Sequence, residues 1–206
     1  MIRVGAFIDG FNLYYGLRTK GWRRYYWLNL QRLAENLLKP DQHLVFTKYF
    51  TARISSTPDD PHKNKRQATY LDALQTLPEF HLYFGKYFVT QQKCRRCGFV
   101  YDVPNEKMTD VNIAVQLLVD AFRDTFDEAL LISADSDLVG PVSAVQRLFP
   151  QKRVVVAFPP NRSSFHLRQA ARACFTIGRR KIAKSQFPAE VRRSDGFVLQ
   201  RPVEWA

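Results

Sequence analysis

The chain has 206 residues, 46% of them apolar, which is enough to bury the core of one full domain. Its formal net charge is +12, and such an excess attracts polyanions, foremost nucleic acid. No run of about 18 apolar residues occurs, so the sequence predicts no bilayer-spanning helix and no membrane partner. Three cysteines do not make a disulfide framework, and we therefore expect a reducing, cytoplasmic setting.

Short apolar strands alternate with amphipathic helices along most of the chain. In chain order the sequence predicts a strand at 3–8, a helical turn at 11–17, a helix at 28–38, a strand at 43–54, a helix at 62–77, a hairpin region at 81–104, a helix at 109–123, a strand at 129–133, a helix at 138–148, a strand at 153–158, a helix at 163–172 and a strand at 174–177. This alternation favours an α/β fold with a central, mainly parallel sheet. Residues 179–206 are basic and predict a peripheral tail.

Acidic residues stand where a parallel sheet would place a ligand. Asp9 follows the strand 3–8, Asp135 and Asp137 follow the strand 129–133, and Asp110 opens the helix 109–123. Ligands bind beyond the carboxyl ends of such strands, so we expect the four side chains to converge. Converging carboxylates need a compensating cation, and Mg²⁺ or Mn²⁺ prefers oxygen ligands. Taken singly, each aspartate could instead be a helix cap or a turn residue.

A metal at these carboxylates indicates chemistry on a phosphodiester. A bound cation lowers the pKa of a water molecule, orients it for in-line attack and neutralises charge on the phosphate oxygens. The amide of Asn12 could hold a water molecule or a phosphate oxygen, and Lys107 could meet a phosphate as a point charge. An acidic site on a basic chain therefore predicts a polyanion, such as nucleic acid, as the partner.

Three motifs in this order resemble the NYN domain family, the LabA-like branch of the PIN-like nucleases. They are Phe7-Ile8-Asp9-Gly10-Phe11-Asn12-Leu13, Glu106-Lys107-Met108-Thr109-Asp110-Val111 and Leu131-Ile132-Ser133-Ala134-Asp135-Ser136-Asp137-Leu138. The resemblance spans residues 1–178 and implies a PIN-like, Rossmann-like three-layer fold with a hairpin insertion. It also implies a metal-dependent ribonuclease whose ligands are Asp9, Asp110, Asp135 and Asp137, with Asn12 beside them. Near the last strand, Ala171-Arg172-Ala173-Cys174 lacks the acidic residue that many relatives have.

A second metal site is suggested by the pair Cys94-x-x-Cys97, because two thiolates at this spacing bind one edge of a tetrahedral Zn²⁺. Two more ligands are needed, and a site shared across a homodimer is one way to supply them. The alternative is a hairpin tip without metal, on which Arg95 and Arg96 face solvent and contact phosphate.

Further cations suggest how RNA would be held, with a basic cluster formed by Lys63, Lys65 and Arg66. Two hypotheses follow from the whole sequence: a metal-dependent ribonuclease, or an RNA-binding or regulatory protein without catalysis on the same fold. An aspartate phosphotransfer enzyme would need a lysine after a later strand, and Lys152 and Lys181 are poorly placed for that role.

Overall fold

In the computed structural model, the backbone of all 206 residues is described, with every side chain except those of residues 88, 89 and 102–106. The strands are β1 Ile2–Asp9, β2 Gln42–Thr51, β3 Phe80–Phe84, β4 Lys86–Lys93, β5 Val100–Lys107, β6 Glu128–Ile132, β7 Arg153–Phe158, β8 Ala173–Thr176, β9 Glu190–Arg192 and β10 Val198–Gln200. The helices are α1 Gly10–Thr19, α2 Leu30–Leu37, α3 Lys63–Leu74, α4 Thr109–Phe122, α5 Val139–Leu148, α6 Phe165–Ala170 and α7 Arg179–Lys184.

The centre of the molecule is a six-stranded parallel sheet in the order β3-β2-β1-β6-β7-β8. Helices α1, α2, α3 and α7 cover one face, and α4, α5 and α6 cover the other. Strand β1 shows why: Val4, Ala6 and Ile8 enter the first core, whereas Phe7 enters the second. Because both faces are covered, a nearly continuous apolar strand is the stable choice there. The predicted three-layer α/β fold is confirmed.

The predicted hairpin insertion is also confirmed, with different boundaries. β4 and β5 pair antiparallel and carry the cysteine pair in the turn between them. Residues 81–84, which belong to the predicted hairpin region, instead form most of β3 and extend the main sheet beside β2. The sequence 81–89 is one run of strand-forming residues, so only Gly85 marks the break. Its N–H donates to the carbonyl of Thr51 at 2.8 Å, at the end of β2.

The segment 179–206 is packed on the body of the protein and is not the peripheral tail that we expected. Ile182, Phe187 and Leu199 are buried in the core that also holds α1 and α2. The indole N–H of Trp27 donates to the carbonyl of Pro188 at 2.7 Å. Cations dominate the sequence of this segment, so its few apolar residues were overlooked. Burial of those apolar residues stabilises the attachment of the segment to the rest of the protein. Among the described residues, no helix combines the length and the apolarity needed to cross a bilayer.

Candidate active site

Asp9 ends the central strand and is 1% exposed. Its Oδ1 accepts from the backbone N–H of Asn12 at 3.0 Å, so the carboxylate caps helix α1. Its Oδ2 accepts from the amide Nδ2 of Asn12 at 2.6 Å and from the hydroxyl of Ser133 at 2.8 Å. Three donors from two segments of the chain therefore hold this one carboxylate in a fixed orientation.

Electrostatics at Asp9 favour the neutral form. Burial raises the pKa of its carboxyl group, the hydrogen bonds from Asn12 and Ser133 oppose the increase, and the nearby charge of Asp135 adds to it. No ion pair joins Asp9 to a residue whose side chain the structure describes. The carboxylate is thus desolvated without a cation to compensate it, which makes it a candidate for function.

Ser133 and Asp135 come to the same place from the neighbouring strand β6. The fully buried hydroxyl of Ser133 lies between them, donating to Asp9 and accepting from the backbone N–H of Asp135 at 3.1 Å. Asp135 is half-buried, and its Oδ1 accepts from the backbone N–H of Asp137 at 3.0 Å. Asp137 is exposed. The structure therefore brings Asp9 and Asp135 together and leaves Asp137 toward solvent.

Asp110 lies in the first turn of α4, a helix that packs against β1 and against the 3₁₀ turn Ser136–Leu138. It is half-buried. Among the side chains that are described, no three His, Cys, Asp or Glu residues lie close enough together to hold a metal ion. The expected convergence of Asp9, Asp110, Asp135 and Asp137 into one cradle is accordingly not seen, because two of the predicted acids project from separate helical turns.

Arg162 is part of the site and was missed by sequence reasoning. Its Nε donates to Oδ1 of Asn12 at 2.8 Å, an oxygen that also lies 3.4 Å from the N–H of Ala134. The loop after β7 delivers it, because Asn161 adopts a left-handed φ of 58° and turns the chain back toward α1. The one available sequence signal was the run Pro159-Pro160-Asn161, which favours a turn and directly follows the strand at 153–158.

A close backbone approach fixes the start of α1. A Cβ on Gly10 would lie 2.7 Å from the carbonyl oxygen of Phe50 and 2.7 Å from the hydroxyl of Tyr49. Tyr49 is itself buried, and burial raises its pKa to about 12. Only glycine lets α1 begin this close to β2, so the position of Asp9 depends on a residue with no side chain.

Comparison with known proteins identifies the family. The sequence profile of the NYN domain matches residues 3–178. The chain belongs to the NYN domain family. This is a PIN-like nuclease family, and the matched region includes residues of every strand of the six-stranded sheet. The profile ends close to the start of α7, so the packed C-terminal segment lies beyond the matched region.

Two individual proteins are similar to this NYN domain. 6-Hydroxy-3-succinoylpyridine 3-monooxygenase HspA of Pseudomonas putida is 29% identical over 77% of this chain, and the aligned part covers 60% of HspA. The chain thus spans less than two thirds of that relative. The crystal structure of a protein of unknown function from Vibrio parahaemolyticus aligns with a TM-score of 0.55 at 20% identity, covering 86% of this chain and 94% of the other. That likeness supports the fold alone.

The cations of the NYN domain that are predicted to contact phosphate differ in two respects: whether the side chain is exposed, and whether it is already ion-paired within the protein. Lys107 is exposed at the end of β5, and Arg95 and Arg96 are exposed in the turn between β4 and β5. In the predicted basic cluster at the start of α3, Lys65 is exposed and Lys63 is half-buried. The third member, Arg66, is held by ion pairs with two carboxylates, those of Asp60 and Glu204. Arg66 is thus occupied within the protein.

Cys94 and Cys97 are free thiols, as is Cys174. Backbone N–H groups of Cys97 and Arg96, followed by the thiol of Cys97, donate to Cys94 and lower its pKa. Gly98 makes this turn possible with a left-handed φ of 75°, and its N–H donates to the carbonyl of Cys94 at 2.9 Å. The two cysteines supply two of the four ligands of a zinc site, and no third ligand lies near them among the described side chains.

Proposed function

We propose that this NYN domain hydrolyses phosphodiester bonds of RNA, with a divalent cation, Mg²⁺ or Mn²⁺, held at Asp9 and Asp135. The observation that carries the proposal is the buried carboxylate of Asp9, which has no cationic partner among the described residues although the chain has a net charge of +12. A positive body attracts the strand, and a desolvated carboxylate attracts the ion.

The carboxylate oxygens at this site are the type of ligand that Mg²⁺ or Mn²⁺ prefers. Mg²⁺ is often bound by one or two carboxylates, with water and substrate phosphate completing its six oxygens, so a cage of four protein ligands is not required. Asp9 and Asp135 would supply the two carboxylates, and Asp110 in α4 and Asp137 in the 3₁₀ turn Ser136–Leu138 would act through water molecules. When bound, the ion would activate a water molecule and neutralise charge on the phosphate.

The other residues of the site orient the carboxylate of Asp9 and orient one another. Asn12 holds the carboxylate of Asp9 through Nδ2 and the backbone N–H, and Arg162 orients that amide through its oxygen. Ser133 couples the two strands through one hydroxyl. Arg162 forms no ion pair with a described side chain, so its guanidinium keeps donors available for a phosphate oxygen at the same edge.

Cleavage of labelled single-stranded RNA tests the proposal. We expect turnover in Mg²⁺ or Mn²⁺ and a loss of about 100-fold or more in Asp135→Asn, the range seen when metal-site residues are altered. Asp41→Asn is the matched control, since it makes the same charge change at the opposite edge, where β2 begins. Equal cleavage by the wild type and Asp135→Asn would refute the role of Asp135.

A binding protein without catalysis is the second candidate, and a specific observation favours it. Three of the roughly four acceptor positions on the Asp9 carboxylate are already used by protein donors, and no third ligand is grouped with it among the described side chains. This candidate predicts salt-sensitive RNA binding that EDTA leaves unchanged, with no turnover in either metal. The measured log–log salt slope would be about −0.7 per phosphate contact on single strands.

Zinc at the hairpin is a separate proposal. Cys94 and Cys97 would hold half of a tetrahedral site, and the same pair from a second copy would complete it. Metal analysis of the purified protein should then give one zinc for two chains, with loss of zinc and of the dimer in Cys94→Ser. A monomer without zinc would contradict the shared site.

The name of the Pseudomonas relative describes oxidation of a substituted pyridine. We do not propose that reaction for this chain, which spans 60% of that protein.

A further inference from the structure

A cavity of about 590 Å³ adjoins the candidate active site. Gly10 and Phe11, the two residues after Asp9, form part of its wall, so the cavity lies along the start of α1. Seven further aromatic residues contribute to the wall: Tyr14, Tyr15, Tyr26, Tyr49, Tyr70, Tyr87 and Trp205. Its volume lies within the roughly 300–1,000 Å³ of ordinary small-ligand sites.

Several aromatic rings that line this cavity also pack against one another. The Tyr14 and Tyr26 centroids are 5.2 Å apart, and Trp205 lies 5.8 Å from Tyr26 and 6.0 Å from Tyr70. The hydroxyl of Tyr70 donates to the carbonyl of Leu28 at 2.7 Å. Because that polar tip is satisfied by the protein, Tyr70 adds ring surface and no unpaired hydroxyl to the wall.

The mouth of the cavity is positively charged. Arg18, Arg23 and Lys63 line it, and none of the three forms an ion pair with a side chain that the structure describes. Arg66 also lines it, but Asp60 and Glu204 neutralise that guanidinium. Four cations, those of Arg18, Arg23, Lys63 and Arg66, thus face only two carboxylates, those of Asp60 and Glu204, whose charges also act on Arg23. The excess of positive charge beside an aromatic wall selects for an anionic group attached to a ring, since each part alone would satisfy only half of the surface.

We propose that this cavity binds a planar aromatic ring bearing an anionic group, and that in RNA this ligand is an unpaired nucleotide next to the bond at Asp9. Aromatic walls stack on bases of any sequence, and arginine or lysine meets the adjacent phosphate. The assignment to an RNA strand rests on the proposed function. The binding of a ring with an anion does not, because the same chemistry would hold a free aromatic acid.

Binding should be measured on Asp135→Asn in EDTA, so that cleavage plays no part in the result. Titration calorimetry with AMP, adenosine and ribose 5-phosphate separates the ring from the anion, and nicotinate represents a free aromatic acid. Quenching of tryptophan fluorescence reports on Trp205 in the wall. We expect AMP to bind more tightly than adenosine or ribose 5-phosphate, because only AMP supplies both groups.

Variants locate the site. Arg23→Ala should weaken AMP roughly two- to fivefold and leave adenosine unchanged, the effect of removing one exposed cation. Tyr14→Ala should weaken both by roughly fivefold or more through lost stacking. Arg147→Ala removes an exposed arginine from the other face of the sheet and should change neither. Circular dichroism confirms that each variant is folded, and Arg23→Ala, which alters an exposed side chain, remains informative if Tyr14→Ala unfolds.

The outcomes separate this inference from the proposed function. AMP binding that depends on Arg23, together with a wild type that cleaves no RNA, supports the cavity and rejects the nuclease. Binding of nicotinate without AMP supports the ring-and-anion chemistry and rejects the nucleotide. Failure of AMP and nicotinate alike to bind, or equal binding by the wild type and Arg23→Ala, overturns the inference.

Discussion

Replacing Gly10 by alanine tests whether the start of α1 sets the geometry of the candidate site. The added Cβ would meet the carbonyl oxygen of Phe50 and the hydroxyl of Tyr49, each at 2.7 Å. Neither neighbour can yield easily, because Phe50 is paired with Asp9 in the sheet and Tyr49 is buried among core residues. The helix must therefore move away from β2.

The size of the effect follows from these contacts. Reaching ordinary van der Waals contact near 3.4 Å requires a displacement of about 0.7 Å. Overpacking of this kind costs about 1–3 kcal/mol, and at about 2–4 °C per kcal/mol for a chain of this length the melting temperature of Gly10→Ala should fall by roughly 2–12 °C. Asn12 moves with α1, so its 2.6 Å hydrogen bond to Asp9 should lengthen and RNA turnover should fall by up to about 100-fold.

Thermal unfolding followed by circular dichroism, together with the cleavage assay, measures both effects. Gly178→Ala is the matched control, since a Cβ there meets nothing within 4 Å and its φ of −80° suits alanine. That control should change stability by no more than about 0.5 kcal/mol. A Gly10→Ala protein with the melting temperature and activity of the wild type would refute the reasoning from close approach.

Three further predictions concern single contacts. Lys48→Met should lower the free energy of unfolding by about 3–5 kcal/mol in urea denaturation, because it leaves the carboxylate of Asp120 buried without its 2.6 Å partner, and the double variant with Asp120→Leu should recover most of the loss. Arg162→Ala should reduce RNA turnover more than RNA affinity, as single-turnover kinetics would show, because it frees the amide of Asn12 to rotate. Arg3 lowers the Asp127 pKa from 3.8 to about 2, so Asp127 contributes stability that is lost as pH falls from about 4 to 2; Asp127→Asn should flatten that part of the acid denaturation curve.

Sequence patterns predicted the sheet well because the relevant signals are local. The apolar run of β1 and the Val154-Val155-Val156 run of β7 have the composition of strands buried on both faces, and both are strands. Asn29 is of a residue type that favours the N-cap, and its side-chain oxygen does accept from the N–H of Arg32 at 2.8 Å at the start of α2. Strand ends were predictable for the same reason, since Asp9 and Asp135 stand directly after apolar runs.

Contacts between distant segments were harder to predict. Arg162 lies 150 positions from Asn12, and no local pattern connects a turn after β7 with an amide in α1. The start of α4, which carries Asp110, was equally hard to foresee, because Met108 caps it with a left-handed φ of 81° and no glycine or asparagine announces that conformation. Trp205, near the end of a basic segment, gave no sign that it would form a cavity wall.

The sequence leaves Asp9 either as a helix cap or as a functional acid. The structure shows that it caps α1, and the direction of its pKa shift bears on whether capping is its whole role. Capping by itself needs no charge, since Asn29 and Ser164 cap α2 and α6 with neutral oxygens. A carboxylate used only as a cap would gain from the helix N-terminus and have a lowered pKa, whereas burial raises the pKa of Asp9. A neutral asparagine could cap α1 without the cost of desolvating a charge. The proposed metal site would give the charge at Asp9 a use that capping does not require, because a cation at the edge of the sheet would offset the cost of its burial.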